Sequence, residues 1–288
     1  MVTSTTATQT PAVAQSADLL ADFLGDRNFV MAFARGMLVI QAFGSAPEAR
    51  SVAELSQRSR VPRAAVRRLL HTLAELGFVR VIGQRYALTA KTLELGHAFT
   101  SSNRIAIAIQ PIVSRLAERL HSFCALSVLQ DDETMLMCQA GTAANPVADP
   151  DRATLGDPAP LRAGAGGRAP LYASASGQLF LANFSEAQLN AYFARVAMTP
   201  LTFRTQTLPA QLRELLPRVR AQGYAVGDRI FANDLRSIAV AVNDERGTMV
   251  AAMVSVVRTE VLSDTALHQR WLPALRQAAH DAGRVWRG

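Results

Sequence analysis

The sequence predicts an α+β chain in two parts, a small helical domain closed by a β-hairpin and then a larger domain in which helices flank a sheet. Three observations carry this. Between Ser51 and Tyr86, capping and turn residues bracket two short helices and a hairpin. The same stretch concentrates charge, with eight arginines from Arg50 to Arg85 against only Glu54 and Glu75, a net +6 within a chain total of +7. Beyond residue 103 the texture changes to alternating helical and strand-like runs in a chain of 288 residues, long enough for two domains.

Met1 to Ala17 is rich in Thr, Ala, Gln and Ser, and residues 1–21 are expected to be a disordered tail. Phe29, Val30, Phe33, Met37, Ile40 and Phe43 then form an amphipathic pattern ending at Gly44, the first helix of a domain over 22–89. Ser51 followed three residues later by Glu54 is a reciprocal capping box. It starts a short helix over Val52 to Gln57, with Val52, Ala53 and Leu55 as its buried face. The polar turn Arg58-Ser59-Arg60 leads to Pro62, whose fixed φ and missing amide suit the first turn of another helix, and Gly77 closes it. Between these marks Val66, Leu69, Leu70, Leu73 and Leu76 can share one face, while Arg63, Arg67, Arg68 and His71 fall mainly away from it. Phe78 to Ile82 and Tyr86 to Thr89 are strand-like and flank the turn Gly83-Gln84-Arg85.

These elements make a winged helix-turn-helix, and the local charge points to double-stranded DNA. A helix fits the major groove with its N-terminal residues at base edges, so Arg63, Ala64 and Arg67 are the candidates for base readout and Arg68 a phosphate anchor. Arg80 and Arg85 on the hairpin would meet the adjacent backbone or minor groove.

Ala90 to Ser101 reads as a helix joining two domains, giving a linker over 90–102 and a second domain over 103–288. Ile105 to Leu120 looks helical but broken or opened by Pro111. Ser122 to Leu129 and Thr134 to Ala140 read as an antiparallel hairpin across Gln130-Asp131-Asp132-Glu133. Gly141 to Gly167, rich in Ala, Gly, Pro and Asp, reads as a loop or weak strand. Helices are expected over Tyr172–Ala182, Glu186–Val196 and Pro209–Gln222, strands over Ser237–Val242 and Met249–Val257, and a last helix through Thr265 to Val285. A helix-flanked sheet of this kind commonly holds a small ligand.

Several classes are disfavoured. No apolar run reaches the roughly 18 residues of a membrane span and the N-terminus lacks a secretory layout, so no membrane association and a cytoplasmic location are expected. Cys124 and Cys138 are the only cysteines and read as small buried hydrophobes, so no metal and no cofactor is expected. There is no Gly-x-Ser-x-Gly elbow, His-Glu-x-x-His motif or P-loop, so an enzyme is not expected.

Taken in order, the residues resemble the IclR family of bacterial transcriptional regulators across almost the entire chain. The likeness lies in Phe33-Ala34-Arg35-Gly36, in Val61 through Leu70, and in Tyr86-Ala87-Leu88-Thr89 followed by Leu93 and Leu95-Gly96. It continues in Tyr172 through Gly177 with Leu181-Ala182, in Arg220 with Gly223-Tyr224, and in Leu235 through Val240. The opening from Asp26 to Phe43 looks most like the subgroup that controls protocatechuate, 4-hydroxybenzoate and β-ketoadipate catabolism.

The resemblance implies a GAF-like C-terminal domain that binds a small organic or aromatic acid effector, and self-association as a dimer or dimer of dimers, with RNA polymerase a further candidate partner. It also implies effector-binding residues: Ala175 and Ser176 through backbone amides, Asp228 at the acidic position after Gly223-Tyr224, and Ser237 and Ser255 on strands. This chain departs in having Val226-Gly227-Asp228 where consecutive acidic residues are usual. It also has Gly and Pro in 141–167 where an arginine-bearing segment is usual, with Arg162 and Arg168 as substitutes. Ser174 or Ser176 alone reads more often as a helix cap than as a ligand contact, and the alternatives are a second domain that only oligomerises or a small-molecule hydrolase.

Overall fold

The structure is a computed structural model that describes residues 20–44, 49–141 and 166–286. The expected tail therefore lies almost wholly outside the described residues, as do most of the expected 141–167 loop and Arg162. The chain divides into two compact units, Met1–Ala98 and Phe99–Gly288.

In the first unit a 3-10 turn, Leu20–Phe23, precedes α1 (Met31–Ala42), α2 (Val52–Ser59), α3 (Arg63–Glu75), β1 (Val79–Ile82) and β2 (Arg85–Leu88). The stripe expected on α1 is only partly right. Its buried residues, Leu38, Val39 and Ala42 with Phe43 beyond, all lie in or after the C-terminal half, while Val30 and Phe33 are exposed because that end projects past the core. The capping box of α2 is formed in both directions: the Glu54 amide donates to Ser51 Oγ at 3.2 Å, and the Ser51 amide to Glu54 Oε2 at 2.6 Å. The helix runs to Ser59, two residues further than expected, and Arg60 ends it in the left-handed region at φ 54°. Ala53 is exposed and Ser59 is buried instead, its hydroxyl donating back to the Leu55 carbonyl at 2.6 Å.

Val66 and Leu70 of α3 pack with Val39, Leu55, Val61 and Val79 to form the core of this unit. Leu76, expected on the same stripe, is exposed because the helix ends at Glu75 and the chain turns away. Gly77 makes that turn at φ 81°, and Thr89 Oγ1 donates to its carbonyl at 2.6 Å, tying the helix end to the end of the hairpin. Ile82 pairs with Arg85, so the hairpin turn is the two residues Gly83-Gln84 and Arg85 belongs to the strand.

Leu93–Ser102 forms α4, which spans the division between the units. Asn103 caps α5 (Arg104–Leu120), which is one continuous helix rather than a broken one. Pro111 costs it an internal hydrogen bond with the Ile107 carbonyl. Pro111 and Ile107 are both exposed, so water can take that carbonyl and the helix need not open.

The second unit is built on a six-stranded sheet in the order β5-β4-β3-β8-β7-β6, with every neighbouring pair antiparallel. The strands are β3 (Phe123–Gln130), β4 (Glu133–Ala140), β5 (Arg168–Pro170), β6 (Tyr224–Asp228), β7 (Leu235–Asn243) and β8 (Met249–Arg258). The two edge strands, β5 and β6, were not expected. One is three residues long and ends in proline; the other contains Gly227, and both are weak strand signals.

Strand alternation divides the side chains between two cores. Cys124, Leu126, Ile238, Val240 and Met253 face α5 and the C-terminal helix, α9 (Leu272–Val285), which follows a π-turn over Leu267–Trp271. Ala125, Ala239, Ala252, Val254 and Val256 face the opposite side, covered by α6 (Ala175–Asn183), α7 (Glu186–Arg195) and α8 (Pro209–Gln222). Both cysteines are buried, and burial pushes each thiol up to about 11, so they serve as packing groups.

Candidate functional site

Charge is arranged unevenly in the first unit. Arg63, Ala64, Arg67, Arg68 and His71 are all exposed on α3, and Arg80 is exposed on β1. Among the described residues no ion pair or side-chain hydrogen bond holds Arg63, Arg67, Arg68 or Arg80. The first turn of α3 contains no acidic residue. Cations at a helix N-terminus oppose the helix dipole, so this face is destabilised by its own field until an anion meets it.

Arg58 and Arg85 are instead engaged by groups of the domain. Arg58 Nε donates to the Ala42 carbonyl at 2.7 Å, against Gly44, where an added Cβ would stand 2.5 Å from the guanidinium. Arg85, expected to reach DNA from the hairpin, instead donates to the Ala49 carbonyl at 2.8 Å and to both oxygens of Glu54 at 3.0 and 3.1 Å. Hydrogen bonds from the Ser51 backbone and side chain, then the charges of Arg85 and Arg50, hold the Glu54 carboxyl below its ordinary value. Tyr86 pairs through its backbone with Arg50, and this brings the neighbouring Arg85 within reach of Ala49 and Glu54.

In the second unit the chain enters α6 through the 3-10 turn Leu171–Ala173. Ser174 caps the helix, its hydroxyl accepting from the Gly177 amide at 3.1 Å. Every residue from Ala175 to Ala182 is buried. Gly177 permits this: a Cβ there would lie 2.3 Å from Leu171 Cα and 2.4 Å from its carbonyl oxygen. Ala175 and Ser176 occupy the first two helical positions, where amides have no partner within the helix. Ser176 Oγ reaches Thr134 Oγ1 at 3.5 Å.

Ser237 shares a sheet face with Ala239, the face that α6 covers, and stands opposite Gly227, where a Cβ would come within 2.6 Å of its hydroxyl. Ala175, Ser176 and Ser237 therefore lie on one side of the sheet. Asp228 is one residue out of phase with Gly227, and its carboxylate is paired with Arg204 at 3.0 Å. Ser255 is on the other side. It pairs in register with Ile238, and its hydroxyl lies 2.9 Å from Ser122 Oγ within the core beneath α5 and α9. The strand phase that aims Val254 and Val256 at α6 aims Ser255 away, so it does not join Ser176. Arg168 is likewise engaged, with Glu133 at 3.2 Å.

Gln178 was missed. It is 1% exposed, its Nε2 donates to Gln206 Oε1 at 3.3 Å, and its Oε1 has no partner among the described residues. The available signal was a polar residue inside the otherwise apolar run of α6. Gln206 belongs to a segment fastened by Thr202 and Thr205, whose hydroxyls donate to the Arg229 and Ile230 carbonyls at 2.5 and 2.6 Å.

Residues 32–83 match the IclR helix-turn-helix domain, and residues 97–284 match the bacterial transcriptional regulator IclR C-terminal domain. The Pca regulon regulatory protein of Pseudomonas putida is 34% identical over 271 residues, covering 94% of this chain and 89% of that protein. A transcriptional regulator from a Rhodococcus species superposes with a TM-score of 0.72 at 29% identity, over 89% of this chain and 98% of its own. An IclR homologue from Microbacterium hydrocarbonoxydans, complexed with 4-hydroxybenzoate, shares the fold with a TM-score of 0.67 at 22% identity, over 88% and 97% of the two chains. With both domains matched in order and a relative aligned over nearly its full length, this chain belongs to the IclR family of bacterial transcriptional regulators.

Proposed function

We propose that this regulator binds a roughly palindromic operator through α3 and controls an aromatic-compound catabolic operon in response to a small organic or aromatic acid. Arg63, Ala64 and Arg67 read base edges, Arg68 grips a phosphate and Arg80 meets the flanking backbone. Arg85 contributes to the field of the surface while bracing the domain through Glu54. The acid binds beside α6, its carboxylate on the amides of Ala175 and Ser176 and its body against Ser237, with Asp228 and Arg204 at the margin.

The observation that carries this reading is the pair of first-turn amides at Ala175 and Ser176, buried on the same side of the sheet as Ser237. The likeness to a Pca regulon regulator and to a fold neighbour holding 4-hydroxybenzoate supports an aromatic or related acid. The regulator acts in the cytoplasm as a dimer or dimer of dimers, and its operator position sets any contact with RNA polymerase. Exposed Phe33 on α1 and Leu93, Leu95 and Phe99 on α4 supply apolar surface for self-association.

Fluorescence anisotropy of the full chain on the intergenic DNA beside its own gene tests the reading, with and without 4-hydroxybenzoate, 3,4-dihydroxybenzoate, benzoate and 3-oxoadipate. At least one acid should change the DNA affinity several-fold. Undiminished DNA binding with no response to any acid would leave the second domain an oligomerisation module.

A further inference from the structure

Among the buried polar atoms that find no partner within the described residues, Gln178 Oε1 is set apart by position. It lies at the start of the second turn of α6, two residues after Ser176, the second of the two amides assigned to the effector carboxylate. Its amide group is joined through Gln206 and Thr205 to Ile230. The Ile230 side chain is in turn 3.0 Å from the place a Gly227 Cβ would occupy, opposite Ser237. Hydrogen bonds and chain links thus connect the Gln178 amide group to Ile230, whose side chain lies beside Gly227, the residue paired with Ser237. A carbonyl oxygen buried there without a donor destabilises the protein by itself.

We infer that Gln178 is a specificity-determining residue of the effector site, its Oε1 accepting a hydrogen bond from a hydroxyl group on the bound acid. This rests on the carboxylate-binding role proposed above for Ala175 and Ser176. It selects a hydroxy-substituted acid over a dicarboxylate, because a second carboxylate is ionised at neutral pH, has no proton to donate and is repelled by a carbonyl oxygen. Gln206 fixes the orientation: by accepting from Gln178 Nε2 it keeps the donor end of the amide occupied and the acceptor end free.

The test is calorimetric titration of the full chain and its Gln178→Met variant with 4-hydroxybenzoate, 3,4-dihydroxybenzoate, benzoate and 3-oxoadipate. The native protein should bind a hydroxylated acid about ten-fold or more tightly than benzoate. Gln178→Met should reduce that preference to about two-fold or less, with benzoate affinity nearly unchanged and the ligand-free melting temperature equal or higher, since a buried unpaired acceptor has gone. Gln178→Leu, which also removes the acceptor at similar volume, should show the same loss of preference and serves if Gln178→Met does not fold. Survival of the preference in Gln178→Met or Gln178→Leu, or tightest binding by 3-oxoadipate, would overturn the assignment. Benzoate bound equally well by native protein and Gln178→Met with no hydroxyl preference would overturn Gln178's role while leaving the carboxylate site intact. Absence of binding by every acid would overturn both.

Discussion

Helices α3 and α6 both begin beside a turn and both carry a proposed ligand at their first residues, yet they are built in opposite ways. Only one side of α3 is buried, and its N-terminal half presents Arg63, Arg67 and Arg68 outward without acidic neighbours in its first turn. Buried from Ala175 to Ala182, α6 offers two amides and one carboxamide. A polyanion is met by surplus charge on a surface, at some cost to the helix that bears it. A small acid is met by a few dipoles inside a packed layer, at the cost of unpaired polar atoms.

The largest effect should follow from disturbing the packing of α6. Gly177→Ala places a methyl group in the Leu171 backbone and should cost about 2–3 kcal/mol in chemical denaturation, because backbone has no rotamer with which to give way. A loss below about 0.5 kcal/mol would show that the layer around α6 relaxes far more easily than a packed interior does.

On α3 the comparison predicts opposite signs for affinity and stability. Arg63→Ala should weaken operator binding by about ten-fold or more, the worth of one good base contact. It should leave the stability of the first unit unchanged or raised by a few tenths of a kcal/mol, since a cation leaves a helix N-terminus. Joint loss of affinity and stability would mean that Arg63 braces the domain instead of facing DNA.

Smaller effects separate the bracing residues from the reading ones. Ser51→Ala removes the acceptor for the Glu54 amide and should cost about 1 kcal/mol, read as faster amide hydrogen exchange in α2. The Glu54 carboxyl has a lowered pKa in the folded state, so its stabilisation is present above the ordinary value of 4.5 and is lost as pH falls through the depressed one. Glu54→Gln should flatten the acid limb of the stability profile of the first unit. An unchanged limb would remove Glu54 as its source.

The first unit was largely legible in the sequence because its signals are local. Ser51 and Glu54, Pro62 and Gly77 each act on backbone within a few residues, and the arginines of α3 alternate with a leucine stripe. The misses there came from tertiary reach: Phe33 and Leu76 fit the period but lie beyond the core, and the bond from Arg85 to Glu54, 31 residues away, could not be read from local pattern. In the second unit the long strands were legible through their apolar runs, while β5 and β6 owe their pairing to neighbours more than to composition. Ser255 illustrates the limit on the site. Its strand was correctly expected, but facing depends on register, and register is settled by β3 and β7 on either side. Gln178 escaped because one polar residue in an apolar helix acquires meaning only when its partners are known.

The most direct test of the account is a salt-dependent gel shift of the full chain on the intergenic DNA beside its own gene, comparing native protein with Arg67→Ala and Arg85→Ala. The account predicts a specific complex that weakens steeply with salt. Arg67→Ala should lose about ten-fold or more in affinity, and Arg85→Ala markedly less because its side chain is committed to Glu54 and Ala49. No specific complex, or an Arg67→Ala protein that binds like the native chain, would contradict it.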